Sequence, residues 1–163
     1  MKKKILFVIN TMGRAGAETA LLALLGKLTP EYECYLYVLM RQGELIRQLP
    51  DGVQLLNHNY KETSVLEKRG KRDMYRTVLR AMLKRATVFR RMPALCRDFR
   101  IMAKKGKVYP DKLLWHVLSD GADFFQQPFD LAVAFLEGGA TYYVADHVMA
   151  RKKAAFVHTD YIR

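Results

Sequence analysis

The chain has 163 residues, of which half are apolar, and its 28 Lys or Arg against 16 Asp or Glu give a formal charge of +12. This apolar content is enough for one domain with a substantial core, and it excludes a wholly disordered chain. No run approaches the roughly 18 consecutive apolar residues that a membrane span requires. The basic start runs into a short apolar segment without a small-residue cleavage site, so we expect no secretory signal. Cys34 and Cys96 form no CxxC pair and suggest no disulfide framework, so we expect a cytoplasmic protein.

The charge is concentrated in one part of the chain. Residues 61–107 carry 16 basic and 4 acidic side chains, whereas the rest of the chain carries 12 of each sign. The sequence therefore divides into a neutral frame and a basic insert, and each needs its own explanation.

Short apolar runs in the frame predict strands at residues 4–10, 32–40, 53–57, 131–136 and 154–158. Stretches between them with helical composition predict helices at residues 17–28, 44–49 and 140–149. Alternating strands and helices imply right-handed crossovers. We therefore expect an α/β fold with a Rossmann-like, doubly wound parallel sheet flanked by helices.

The insert, at about residues 61–128, is predicted to be helical, with helices at 72–91, 94–105 and 111–120. In the first of these, apolar residues that include Tyr75 and Leu79 recur at intervals of three and four, which predicts a buried stripe. Cationic residues form an adjoining stripe at intervals of four, and we expect them to be exposed: Arg72, Arg76, Arg80 and Lys84.

Ligands of doubly wound sheets bind at the carboxyl ends of the strands, and the first candidate there is the loop 10–18 (NTMGRAGAE). Gly13 and Gly16 would let the backbone approach a phosphate at the start of the next helix. Alternatively, they serve only the geometry of a tight turn. The Lys-Ser/Thr of a P-loop and the full GxGxxG fingerprint are both missing, so a dehydrogenase is the weaker interpretation.

Two further candidates follow the later strands. Glu137 and Gly138 come after residues 131–136, where the carboxylate could bind a polar substrate such as a sugar or could favour the positive end of the next helix. His158 and Thr159 come after residues 154–158 and could position a hydroxyl substrate or share its proton. A structural histidine bonded to nearby backbone is the alternative.

Two segments resemble a known family. Residues 3–25 (KKILFVINTMGRAGAETALLALL) and 129–161 (FDLAVAFLEGGATYYVADHVMARKKAAFVHTDY) are similar to the amino-terminal domain of retaining glycosyltransferases of the GT-B fold, in the large family-four group. The resemblance implies transfer of a sugar from a nucleotide-diphosphate sugar to a hydroxyl acceptor, in cell-surface glycan synthesis. It assigns the donor-diphosphate loop, the catalytic residue and the acceptor side as follows: Gly13 and Gly16 in the loop, His158 as catalytic, and Glu18, Glu137, Gly138 and Thr159 on the acceptor side.

The same resemblance implies that residues 1–163 form a single acceptor-side domain. Family members bind most of the donor nucleotide in a carboxy-terminal domain, which we expect to be absent here, so this chain alone should be inactive. The nucleotide sugar would be a substrate and not a cofactor. No metal is expected, because Asp120 and Asp123 are three residues apart and form no DxD motif.

The basic insert predicts an anionic partner. Candidates are the inner face of the cytoplasmic membrane, a glycan acceptor carried on a lipid phosphate, and nucleic acid. Nucleic acid is the weakest of these, because Tyr75 and Phe89 lie on the stripe that is predicted to be buried. The alternative to an enzyme is a non-catalytic Rossmann-like module that binds an anionic membrane surface or nucleic acid.

Overall fold

The computed structural model describes residues 2–64, 66–83 and 110–158, and within them five parallel strands form one sheet in the order β3-β2-β1-β4-β5. The strands are β1 Lys4–Ile9, β2 Glu33–Val38, β3 Val53–Leu55, β4 Phe129–Ala134 and β5 Ala150–Ala155. In register, Ile5 of β1 pairs with Cys34 of β2 on one side and Leu131 of β4 on the other. The predicted Rossmann-like α/β fold is confirmed.

Four α-helices flank this sheet in the described ranges, together with one 3₁₀ helix. They are α1 Gly16–Leu28, the 3₁₀ helix Glu44–Gln48, α2 Lys68–Leu83, α3 Pro110–Gly121 and α4 Gly139–His147. The frame helices and the helix predicted at 111–120 are confirmed to within two residues. The helix predicted at 94–105 lies outside the described residues, as does the second part of the one predicted at 72–91.

The two faces of the sheet are covered by different helices, as expected when the chain crosses over in both directions from the central strand. Leu21 and Leu25 of α1 share a buried cluster with Phe7 on one face. Tyr143 of α4 shares another with Leu6 on the opposite face. None of the described helices has both the length and the hydropathy of a membrane span.

The fifth strand differs from its prediction. It was expected at 154–158 but runs over Ala150–Ala155 and includes three cationic residues. It lies at an edge of the sheet, where most of its side chains are exposed, and charged residues are well tolerated at such edges. The apolar residues Phe156 and Val157 follow β5 and are exposed.

The buried stripe of α2 also differs from its prediction. Tyr75 and Leu79 of the predicted stripe are exposed, whereas Val78, which also belongs to it, packs with Met74 and Ala81 against Met40 and Leu118. The cause is the close approach of α2 to α3, where a Cβ at Gly121 would lie 2.5 Å from the Cβ of Ala81. Arg72, Arg76 and Arg80 are exposed, as predicted, and Lys84 lies outside the described residues.

Candidate functional site

The ends of β1 and β4 mark the point where the chain changes direction across the sheet. From β1 the chain continues to β2 on one side, and from β4 it continues to β5 on the other. Loops that leave neighbouring strands in opposite directions open a crevice at their carboxyl ends, which is the usual ligand site of doubly wound sheets. Asn10 follows β1, residues 135–138 follow β4, and His158 lies three residues beyond β5.

The side chain of Asn10 joins the two loops of this crevice. Its Nδ2 donates a hydrogen bond to the backbone carbonyl of Glu137 at 3.1 Å, and its Oδ1 accepts one from the backbone N–H of Ala140 at 3.0 Å. Ala140 lies in the first turn of α4, where N–H groups have no intrahelical partner. Asn10 is 5% exposed. Asn10, just after β1, therefore caps the first turn of α4 and fixes the Glu137 loop against the end of β1.

Glu137 and His158 come together at this edge. An oxygen of the Glu137 carboxylate, Oε2, accepts a hydrogen bond from the backbone N–H of His158 at 3.1 Å. The Nε2 of His158 lies 3.1 Å from the carbonyl oxygen of Phe135. Since a carbonyl can only accept, we assign the hydrogen to Nε2, and in the neutral ring Nδ1 then carries a lone pair. Through Nδ1, this exposed imidazole can accept a hydrogen bond or a proton from a substrate hydroxyl.

The Gly138-Gly139 turn is covered by an aromatic ring that the sequence reasoning missed. Gly138 has a φ of +88°, and a Cβ there would lie 3.0 Å from the Nε1 of Trp115. A Cβ at Gly139 would lie 2.7 Å from the Cε3 of the same indole. The positive φ favours glycine at position 138. At position 139 a Cβ would force the indole to move. The only signal in the sequence was that the single tryptophan falls in a helix of the insert.

The first candidate loop is less constrained than its two glycines suggested. Gly16 is exposed, its φ is not positive, and a Cβ there would meet no atom within 4 Å. The geometry of a tight turn therefore does not explain Gly16. The other glycine of the loop, Gly13, is buried. The residue before α1, Ala15, offers no side-chain cap to the first amides of the helix.

Glu18, predicted on the acceptor side, is 6% exposed, and its Oε1 accepts a hydrogen bond from the Thr11 hydroxyl at 3.1 Å. This hydrogen bond ties the loop to the first turn of α1, where a carboxylate also interacts favourably with the positive end of the helix dipole. Its negative charge opposes a second anion at that helix start, so Glu18 argues against a close diphosphate contact there. Thr159 lies outside the described residues.

Two buried tyrosines, Tyr37 of β2 and Tyr143 of α4, bind the backbone of the same residue, Asp123. The hydroxyl of Tyr37 accepts a hydrogen bond from the backbone N–H of Asp123 at 2.9 Å, and the hydroxyl of Tyr143 donates one to the carbonyl of the same residue. Burial raises the pKa of Tyr37 to about 12 and also raises the pKa of Tyr143. Both hydroxyls therefore stay protonated at neutral pH, and they tie β2 and α4 to the same backbone segment at Asp123.

Two concavities in the described part of the chain lie away from this edge. A groove of about 630 Å³ runs along the α1 face of β4 and is lined by Leu28, Leu131 and Phe156. A cleft of about 160 Å³ contains the ion pair of Arg41 and Asp123, whose nitrogen and oxygen are 2.7 Å apart. Neither is lined by Asn10, Glu137 or His158. Among the described residues, no group of three His, Cys, Asp or Glu side chains could hold a metal ion.

The structure thus brings Glu137, Gly138 and His158 to one edge and adds Asn10 and Trp115 to them. Arg72, Arg76 and Arg80 form a separate surface on α2. Comparison with protein-family models, with curated proteins and with solved structures found no match, so the glycosyltransferase resemblance stays a prediction from the sequence.

Proposed function

We propose that the chain is the acceptor-side domain of a retaining glycosyltransferase. It would take part in moving a sugar from a nucleotide-diphosphate sugar to the hydroxyl of a glycan or lipid-linked acceptor. The observation that carries the proposal is the pairing of Glu137 with His158 beside the Asn10 bridge, at the edge of the sheet where such folds bind ligands.

The chemistry of this edge suits a hydroxylated ligand. The carboxylate of Glu137 can accept hydrogen bonds from sugar hydroxyls, and the Nδ1 lone pair of His158 can accept one more. Because both groups are tied to backbone atoms, they would orient an acceptor without further ordering on binding. The role of the domain is therefore positioning of the acceptor and acceptance of its proton.

The donor side rests on the family resemblance. In the family that the sequence resembles, a second domain supplies most contacts to the nucleotide and stabilises the leaving diphosphate. In this chain the loop with Gly13 and Gly16 would border that diphosphate, and the carboxylate of Glu18 limits how closely it could approach.

A titration of the ¹⁵N-labelled chain with methyl glycosides of the common hexoses tests the acceptor side. We expect millimolar binding that shifts the amide resonances of residues 137–139 and 158. His158→Ala and Glu137→Gln should weaken it, and Glu137→Gln keeps an oxygen that can accept the His158 N–H. The matched controls His58→Ala and Glu31→Gln change exposed residues elsewhere and should leave binding intact.

Two results would count against the proposal. One is the absence of any shift at residues 137–139 and 158 with every glycoside. The other is binding that His158→Ala and Glu137→Gln leave as strong as the controls do, because the ligand would then occupy a different surface.

A further inference from the structure

The outer face of α2 combines cationic and apolar side chains in one patch. Tyr75 is 70% exposed and Leu79 is 56% exposed. They are one turn apart and share a shallow surface depression with four cations: Lys68, Lys71, Arg72 and Arg76. We call these six residues the α2 patch.

The apolar residues of the α2 patch do not serve the core. Met74, Val78 and Ala81 already fill the contact of α2 with Met40 and Leu118. Tyr75 and Leu79 lie on the neighbouring rows of the helix and are exposed in the part of the chain that the structure describes. Large exposed apolar side chains grouped on one surface indicate a partner that covers them.

The charge of α2 restricts the chemistry of that partner. The helix carries six Lys or Arg residues and one acidic residue, Asp73. Asp73 is turned inward, where its Oδ1 lies 2.6 Å from the Nζ of Lys61 and 3.8 Å from an Arg76 nitrogen. The hydrogen bond from Lys61 lowers the pKa of this carboxyl, so its charge is held at neutral pH. It offsets part of the charge of Arg76 within the α2 patch, but α2 still carries six cations against this one carboxylate. The outer field of α2 is therefore positive, and it suits an anionic partner.

The mixture of side chains favours a lipid surface over a nucleic acid. A bilayer interface accommodates a helix that lies flat, with aliphatic and aromatic residues at the acyl boundary and Lys or Arg at the phosphates. A nucleic acid would use the cations and could stack on Tyr75, but it would leave the aliphatic Leu79 without a suitable contact.

We propose that the α2 patch docks the protein on an anionic phospholipid surface, with Tyr75 and Leu79 inserted between head groups and the four cations on lipid phosphates. This inference does not depend on the proposed glycosyltransferase function. It differs from attachment by charge alone, since the apolar pair carries part of the affinity.

Sedimentation with vesicles tests the proposal. The chain should bind vesicles of phosphatidylglycerol and phosphatidylcholine, and should not bind pure phosphatidylcholine. The variant Tyr75→Ser with Leu79→Ser should weaken binding at least about tenfold, because burying even part of two such side chains is worth more than the 1.4 kcal/mol of a tenfold change. Arg72→Glu with Arg76→Glu changes the charge of the patch by four units and should weaken binding at least about a hundredfold, because each unit of charge near an anionic surface contributes about fivefold.

Two matched pairs serve as controls. Met149→Ser with Val157→Ser removes exposed apolar residues away from α2, and Lys27→Glu with Lys152→Glu reverses exposed cations elsewhere. Neither control should reduce vesicle binding as much as the corresponding patch variant. Circular dichroism and melting curves should be almost unchanged in all four variants, since every altered side chain is exposed and a surface ion pair such as that of Arg76 with Asp73 contributes little to stability.

The remaining outcomes would overturn the proposal. Binding that survives both patch variants, or that falls equally in the controls, assigns attachment to another surface. If vesicle binding is lost only in the variant Arg72→Glu with Arg76→Glu, attachment is purely electrostatic and the apolar side chains do not insert. Failure of the wild-type chain to bind anionic vesicles, or salt-sensitive binding to RNA in preference to vesicles, replaces the lipid with a different partner. Titration of the same variants with the methyl hexosides tests the candidate functional site separately, because none of these variants changes Glu137 or His158.

Discussion

The carboxylate of Glu137 holds the backbone N–H of His158 at 3.1 Å, so a side chain at the end of β4 sets the position of the chain that leaves β5. The two groups that we place in the candidate functional site are therefore mechanically coupled. A substitution of Glu137 that loses the acceptor oxygen also changes where the imidazole lies. Glu137→Gln and Glu137→Ala should consequently differ in their effects on the site.

If the chain acts as proposed, His158→Ala in an enzyme that contains it should lower turnover by about 10²–10⁴-fold, which is the usual contribution of a general acid–base group to the rate. Stability should fall by no more than the one hydrogen bond to the Phe135 carbonyl is worth, about 1 kcal/mol. Release of nucleotide from the donor, measured beside the melting temperature, separates the two effects. Normal activity per folded molecule in His158→Ala would give His158 a structural role, and His58→Ala supplies the control.

Residues 1–163 alone should not turn over a nucleotide sugar. The reason is that, in the family the sequence resembles, the groups that stabilise the leaving diphosphate belong to a second domain. The same nucleotide-release assay, run on the purified chain with the common nucleotide sugars, checks this. Turnover above the uncatalysed rate would show that the donor site is complete within these residues.

Replacing Asn10 should destabilise the fold. Asn10→Ala removes the hydrogen bonds to the carbonyl of Glu137 and the N–H of Ala140 at a buried position, where an unsatisfied group costs about 1–3 kcal/mol. Urea unfolding should therefore show a loss in the free energy of unfolding, whereas Asn59→Ala, at an exposed position, should show almost none. Equal stability of the two variants would mean that the Asn10 bridge does not hold the loops together.

A methyl group at Gly139 should be poorly tolerated. The Cβ of Gly139→Ala would lie 2.7 Å from Trp115 Cε3 and 3.0 Å from Leu39 Cδ1, so the indole must move. We expect a loss of about 1–3 kcal/mol in unfolding free energy, as for other overpacked sites. Gly26→Ala is the matched control, because its Cβ would meet only Pro50 Cγ at 3.7 Å, and in the interior of α1 alanine should stabilise by up to about 1 kcal/mol. A Gly139→Ala variant as stable as Gly26→Ala would contradict the close packing of Trp115.

Alkaline pH should weaken the fold through Tyr37. Burial raises the pKa of Tyr37 to about 12 in the folded chain, so the unfolded chain loses the phenol proton first, near the ordinary pKa of about 10. Between these two values the unfolded state binds fewer protons, and stability falls by up to about 1.4 kcal/mol per pH unit from this group. Tyr37→Phe should be less stable than the native chain at pH 8, and its free energy of unfolding should fall more slowly above pH 10. Urea unfolding at each pH checks this. If the free energy of unfolding fell in parallel for Tyr37→Phe and the native chain, Tyr37 would titrate alike in the folded and unfolded states.

The sheet could be predicted because its strands are short apolar runs, and burial on both faces leaves that signature in β1, β2 and β4. The edge strand β5 could not be located in the same way, since its exposed cations remove the signature. On α2, helical spacing identifies rows of apolar residues but does not decide which of two adjacent rows faces the core. The contact of Ala81 with Gly121 of α3 makes that decision.

The candidate site was predictable only in part. Glu137 and His158 follow apolar runs and were found by the rule that strand ends bind ligands. The bridge from Asn10 to Ala140 joins positions 130 residues apart, and the cover that Trp115 gives to Gly138 joins two elements of the fold. Contacts of this kind depend on strand order and helix placement, which local patterns do not contain.

The position of Trp115 gives the protein an intrinsic optical probe. It is the single tryptophan of the chain, and its indole rests on Gly138 and Gly139 beside Glu137. Excitation near 295 nm would therefore report almost entirely on this turn, since tyrosine absorbs little there. A shift of the emission maximum or a change in acrylamide quenching would follow any ligand or pH change that moves the Gly138 loop, without a label and without altering the sequence.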